Sequence, residues 1–172
     1  MDLELLGKAA VVTGGSRGIG KAIARELAME GVDVAIAARN QARLEAAARE
    51  ISEDTGRLIV PITVNTDDDD SVMHMVRTAA GELGHIDILV NNAAQPGSVL
   101  PPARLGEITG DHFWPDMNTK VMGYLRCARE AAPHMLQQGW GRIINIGGLA
   151  ARQSGNTIGS MRNVAVVAMA KN

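Results

Sequence analysis

The stretch Thr13-Gly14-Gly15-Ser16-Arg17-Gly18-Ile19-Gly20 follows an apolar run at 9–12 and opens a helix-like run from Ile19 onward. Its order is strand, glycine turn, helix. Glycines at 14, 18 and 20 let the backbone turn tightly, approach a bound group closely and pack the helix against the strand. The unpaired amides of the helix N-terminus attract a phosphate. The spacing Gly-x-x-x-Gly-x-Gly differs from the better-known Gly-x-Gly-x-x-Gly turn, and an ordinary loop can carry as many glycines. The surrounding chain has to decide between a loop and a dinucleotide cradle.

Residues 21–30 repeat small and apolar side chains at helical spacing (Ala22, Ile23, Leu27, Ala28) and stop at Gly31. Residues 32–38 are apolar except for Asp33, as a parallel strand covered on both faces requires. Leu44, Ala47, Ala48 and Ile51 then share one helical face that Gly56 ends, and 58–64 reads as a third strand whose Pro61 places it at an edge. The run Asp67-Asp68-Asp69-Asp70 reads as a helix cap and first turn; it lacks the glycine and terminal glutamate of a calcium loop. Val72, Met75, Val76 and Ala79 form the buried face of that helix. A fourth strand at 86–90 delivers Asn91-Asn92-Ala93-Ala94 to its C-terminal end, where ligands bind in open α/β sheets.

Residues 95–106, with Pro96, Gly97, Pro101, Pro102 and Gly106, read as a loop. A long helix is expected from about Thr109, with Pro115 near its first turn, Pro133 bending its later part, and Met122, Leu125, Ala128 and Arg129 on one face. Residues 141–146 return as a fifth strand and 158–170 as an apolar helix. The alternation predicts an α/β, doubly wound Rossmann fold: a five-stranded parallel sheet with helices on both faces.

With 172 residues, 46% of them hydrophobic, the chain suits one domain with a sizeable core. A net charge of −2 with scattered lysines and arginines gives no basic field for nucleic acid. The acidic start Met1-Asp2-Leu3-Glu4 and the lack of an apolar run near the ~18 residues of a membrane span predict neither signal peptide nor anchor, and a cytoplasmic protein. Cys127, the single cysteine, reads as a packed small hydrophobe. His74, His85, His112 and His134 lack ligand spacing, so no metal site is expected.

Thr13, Gly14, Gly18 and Gly20 match the Thr-Gly-x-x-x-Gly-x-Gly pattern of the short-chain dehydrogenase/reductase superfamily, which the chain resembles from about Leu6 to its last residue. A second family motif, Asn-Asn-Ala-Gly, appears as Asn91-Asn92-Ala93-Ala94, with alanine in place of its last glycine. The resemblance implies a nicotinamide cofactor held by Gly14, Ser16, Arg17, Gly18, Ile19 and Gly20, with Asn92 and Ala93 near its ribose and Asn65 and Thr66 near adenine. An acidic residue after the second strand would select NAD; Ala38 and Arg39 stand there instead, and Arg17 adds a cation where NADP-using relatives often carry one. NADP(H) is therefore favoured over NAD(H). Family members continue through two more strands, so 1–172 reads as the N-terminal part of a longer domain. Without those strands Ile143 and Ile144 would lie on an unpaired edge. The long helix and the run at 164–169 resemble the helices through which relatives pair, which implies a homodimer or homotetramer.

The family's chemistry uses a tyrosine as proton donor or acceptor, a lysine that lowers its pKa and binds ribose, a serine that holds the substrate oxygen, and an asparagine that supports a water relay. Counting from 141–146 puts Gly148 at the serine position, Met161 at the tyrosine and Ala165 at the lysine; the asparagine position falls on Lys120 rather than Asn118. Tyr124 is the only tyrosine and reads as packing. Two expectations follow. Either the protein is an oxidoreductase acting on an unidentified small carbonyl or hydroxyl substrate through Lys120, aided by Ser154 or Ser160, or it is a cofactor-binding pseudoenzyme with a sensing or scaffolding role. On residue statistics alone a solvated or helix-capping lysine is the commoner reading of Lys120.

Overall fold

The computed structural model describes residues 3–94 and 104–171. Five strands, β1 (Ala9–Thr13), β2 (Asp33–Ala38), β3 (Ile59–Thr63), β4 (Ile88–Asn91) and β5 (Arg142–Asn145), form one parallel sheet in the order β3-β2-β1-β4-β5. Alternation along the strands sorts their side chains. Ala10, Val12, Val34, Ile36, Ile88 and Val90 pack on one face with α1 (Gly18–Met29) and α2 (Gln41–Thr55). Val11, Ala35, Ala37 and Leu89 pack on the other with α3 (Asp69–Leu83) and α5 (Gly123–Gln138). The doubly wound fold is as expected, β3 with Pro61 being an edge strand whose proline pairs with Ile36.

The helical faces expected in α2 and α3 are the buried ones: Leu44, Ala47, Ala48 and Ile51 in α2, and Val72, Met75, Val76 and Ala79 in α3. In α1 the buried residues are Gly20, Ala24 and Ala28, so of the set Ala22, Ile23, Leu27 and Ala28 only Ala28 is buried. Gly56 ends α2 at φ +69°, a left-handed turn that a side chain would disfavour. Asp68 caps α3 by accepting from the Ser71 amide at 2.7 Å, and Asp69 and Asp70 occupy its first turn. The aspartate run thus serves the helix, and among the described residues no group of three or more His, Cys, Asp or Glu is placed to hold a metal ion. No described helix is long and apolar enough to cross a membrane.

The expected long helix is corrected in two respects. It is three consecutive pieces, α4 (Gly110–Met117), a π-helical turn (Asn118–Met122) and α5, and Pro115 lies inside α4 rather than at its start. The face carrying Met122, Leu125 and Arg129 is exposed; Tyr124, Cys127, Ala131 and Met135 are the buried face. A last helix, α6 (Thr157–Met169), packs against α4 and the π turn. Ile143 and Ile144 are exposed on β5, the outer strand of the described sheet. The loop read at 95–106 lies outside the described residues up to position 103; its end, Leu105–Glu107, is a short 3-10 turn.

Candidate functional site

β1 and β4 are neighbours at the centre of the sheet, and the chain leaves them for opposite faces, so a crevice opens at their C-terminal ends. Thr13 joins its two walls. Its hydroxyl donates to the Val90 carbonyl (3.3 Å) and accepts from the amides of Asn92 (3.0 Å) and Ala93 (3.1 Å). The Asn92 side-chain amide donates back to the carbonyls of Thr13 (3.1 Å) and Gly14 (3.3 Å). There is no room here for side chains: a Cβ on Gly14 would stand 2.8 Å from Asn92 Nδ2, and one on Gly20 only 2.3 Å from the Gly14 oxygen. The two sequence motifs are therefore one interlocked structure.

The crevice encloses about 530 Å³ and is lined by Gly14, Ser16, Arg17, Gly18, Ile19, Arg39, Asn65, Thr66, Asn92 and Ala93, which the sequence singled out for a cofactor. That volume suits a small-molecule ligand. Gly20 is the exception: it is buried behind the turn, where it permits the close packing of α1 rather than touching the cleft. Asn40, Asp68 and Asn156 cap α2, α3 and α6 through their side chains, whereas α1 begins at Arg17 with no side-chain cap and no acidic first turn. Its free amides open into the cleft, a ready slot for a phosphate.

Arg17, Arg39 and Arg43 line the same cleft, are exposed, and make no ion pair among the described residues. Sequence reasoning missed Arg43, which stands in the first turn of α2, four residues after Arg39. It also missed Arg126, which pairs with Asp69 and donates to the carbonyls of Thr66 (3.2 Å) and Asn118 (3.4 Å). That guanidinium ties the loop after β3 to the π turn. Asn65 is partly committed, its side-chain oxygen accepting from the Asp67 amide at 3.3 Å.

The π turn brings Thr119 and Lys120, consecutive residues, both into the buried lining of the cleft. Lys120 is 5% exposed and donates to Asn163 Oδ1 at 2.9 Å. The solvated and capping readings of this lysine are thus corrected. Burial first, and then the nearby Arg162 charge, push its ammonium down to about 8, with Asp116 opposing. Arg162 and Asp116 are themselves paired at 2.7 Å.

Of the residues counted onto the family's catalytic positions, Lys120 lines the cleft and Gly148, Met161 and Ala165 do not. Met161 is 50% exposed, and neither it nor Ala165 lines it. The buried face of α6 carries Gly159 and Asn163, four residues apart, and it is Asn163 that meets both Lys120 and the space above Gly148. Ser154 is exposed, and Ser160 donates to the Gln153 carbonyl at 3.4 Å; neither reaches the cleft. Tyr124 is buried with its hydroxyl donating to the Ile146 carbonyl (3.1 Å), and burial raises its pKa, so packing is its role. Cys127 is likewise buried, its thiol pushed up to about 12 by burial.

Residues 8–160 match the family described as short chain dehydrogenase. The chain is 37% identical over 141 residues to the 3-oxoacyl-(acyl-carrier-protein) reductase FabG of Staphylococcus aureus strain Mu50, which covers 81% of this chain and 55% of that protein. Among solved structures, L-sorbose reductase from Gluconobacter frateurii, complexed with NADPH and L-sorbose, superposes with a TM-score of 0.92 at 32% identity, covering 99% of this chain and 64% of that one. NAD+-bound xylitol dehydrogenase superposes with a TM-score of 0.88 at 26% identity, covering 96% of this chain and 63% of that one. The chain therefore spans less than two thirds of the length of each.

Proposed function

Because the chain belongs to the short-chain dehydrogenase/reductase superfamily, we propose that it binds NADP(H) in the cleft and interconverts a carbonyl and a hydroxyl with Lys120 as the proton-handling group. The observation that carries this reading is that a buried lysine with a lowered pKa lines the same cleft as the glycine turn. The residues fit such a cofactor: uncapped α1 amides for the pyrophosphate, bare glycine backbone beneath it, and three guanidinia without an ion pair among the described residues for a 2′-phosphate.

Bound NADPH would supply the hydride that a carbonyl carbon accepts while its oxygen takes a proton. The Lys120 ammonium donates that proton, leaving a neutral amine that water reprotonates; in the reverse direction the neutral amine takes the proton from the alcohol. Reduction needs the charged form, so its rate falls as pH rises through about 8, and oxidation rises over the same range. Small carbonyl compounds are the substrate class.

Titration with NADPH and NADH, followed by NADPH consumption over a panel of ketones and aldehydes, tests the reading. Tighter NADPH binding with turnover supports it, and absence of binding to either nucleotide overturns it. Binding without consumption would favour the second reading, a cofactor-binding pseudoenzyme, which rests on the only tyrosine being buried behind the cleft lining with its hydroxyl committed to the Ile146 carbonyl. Pairing of copies through the exposed faces of α5 and α6 is part of the proposal, supported by exposed Met122, Leu125, Val164 and Val167. Sedimentation velocity showing only monomer would remove it.

A further inference from the structure

Lys120 reaches the cleft from the π turn, yet what it touches lies on α6, and that contact is unusually well defined. Asn163, 2% exposed, accepts from the Lys120 ammonium at 2.9 Å and uses its own Nδ2 to donate to the Gly159 carbonyl at 2.7 Å. The second bond fixes which end of the amide is oxygen, so the ammonium meets an acceptor and never an N–H. An ammonium carries three donors. Asn163 takes one, and the ammonium makes no other hydrogen bond among the described residues, while Lys120 lines the cleft.

Gly148 completes the arrangement from a third element, the short turn after β5. A Cβ at Gly148 would stand 2.9 Å from Asn163 Oδ1 and 3.0 Å from its Nδ2. Any side chain there would press on an amide already held at both ends. The bare backbone at 148 and the amide at 163 are thus one feature, and the hydroxyl expected at 148 from the family pattern is sterically incompatible with it.

We propose that Asn163 is a positioning residue that aims the Lys120 ammonium into the cleft, and that Gly148 lacks a side chain so that the Asn163 amide can stand there. The inference rests on the reading of Lys120 as the proton-handling group. The charged and titratable groups that face Lys120 are Asp116 from α4, Arg162 from α6, and Tyr124 from α5, whose ring centroid lies 5.9 Å from the ammonium. Arg162 and Asp116 pair with each other at 2.7 Å, Arg162 having the larger effect of the two on Lys120, and the Asn163 amide is the group hydrogen-bonded to the ammonium. Replacing that amide therefore changes the ammonium's surroundings directly, without removing a charge from the neighbourhood.

The test is an NMR pH titration of the chain labelled at the lysine ε-carbons. Its lysines are Lys8, Lys21, Lys120 and Lys171, and the resonance missing from Lys120→Met identifies the one of interest. Asn163→Asp puts a carboxylate beside the ammonium and should raise its pKa by at least about one unit. Asn163→Leu keeps the branched shape in a larger side chain but removes the acceptor, and should lower the pKa by about one unit. Gly148→Ser should act in the direction of Asn163→Leu by displacing the amide, and reduce turnover rather than restore it. With turnover present, the pH at which reduction falls should move with each NMR value while the Kd for NADPH changes less than about threefold. An unchanged Lys120 pKa in Asn163→Asp and Gly148→Ser, both folded by circular dichroism, overturns the inference, and Asn163→Asp remains decisive if the leucine variant does not fold. Failure of the parent chain to bind NADPH would instead overturn the proposed function and leave these pKa shifts as they are.

Discussion

At the β1 end of the cleft the working atoms belong to the backbone: the amides at the start of α1, the Gly14 carbonyl, and the places where Gly14 and Gly20 exclude side chains. At the other end they belong to side chains, with the Lys120 ammonium, the Asn163 amide and the Asp116–Arg162 pair converging from α4, the π turn and α6. A backbone slot depends on a few glycines in one short stretch, where Gly14 and Gly20 leave no room for a side chain, and Asn92 braces it by bonding the carbonyls of Thr13 and Gly14. A side-chain constellation can be rebuilt from different walls of the same cleft. Family resemblance accordingly predicts the first end residue by residue and the second only by its location.

The largest expected effect separates the two ends. Lys120→Ala should lower turnover by ~10²–10⁴, the range for a lost general acid, with little change in NADPH affinity. Pre-steady-state kinetics with a ketone substrate checks it, and equal losses in rate and in NADPH affinity would mean that the lysine serves the cofactor rather than the proton. Gly20→Ala should do the reverse. A methyl 2.3 Å from the Gly14 oxygen forces the turn to move, with an expected loss of about a hundredfold in affinity for both NADPH and NADH by calorimetric titration.

Arg39→Ala should weaken NADPH by about tenfold or more and leave NADH nearly unchanged, as for the loss of one charge-assisted bond to a phosphate. Arg43→Ala should do so to a smaller extent, and the ratio of the two Kd values is the measurement. At the small end, Arg25→Ala removes an exposed pair with Asp54 (3.0 Å) on the outer surface of α1 and α2. It should cost less than ~1 kcal/mol in urea unfolding and nothing in either ligand assay. A larger effect would show that α1 transmits surface changes to the cradle.

The cofactor end was legible because its determinants are local. Strand, glycine turn and helix follow one another within 9–29, and ten of the eleven residues picked out for the cofactor line one cleft. The apolar faces of α2 and α3 were legible for the same reason, a 3.6-residue period that burial has to respect. Arg43 and Arg126 escaped because an arginine on a helix carries no periodic signal: Arg43 is exposed and only the fold sets it beside the cleft, whereas Arg126 is half-buried with partners that the packing of neighbouring segments supplies. The count that placed the catalytic pair at Met161 and Ala165 assumed that spacing from β5 is preserved. A difference of two residues in the connection turns a helix by more than half a turn and moves the site-facing pair to Gly159 and Asn163.

From the sequence alone came the doubly wound sheet and the motif that turns β1 into α1, because both rest on local patterning; the family resemblance added the missing phenol and Lys120 as a candidate. The tertiary structure decided that Lys120 is buried, that a π turn carries it into the cleft, and that Asn163 and Gly148 complete its surroundings. Those facts depend on three segments that lie far apart in the chain and meet only when the helices pack. The hydrogen bond from residue 120 to residue 163 has no counterpart in any local pattern.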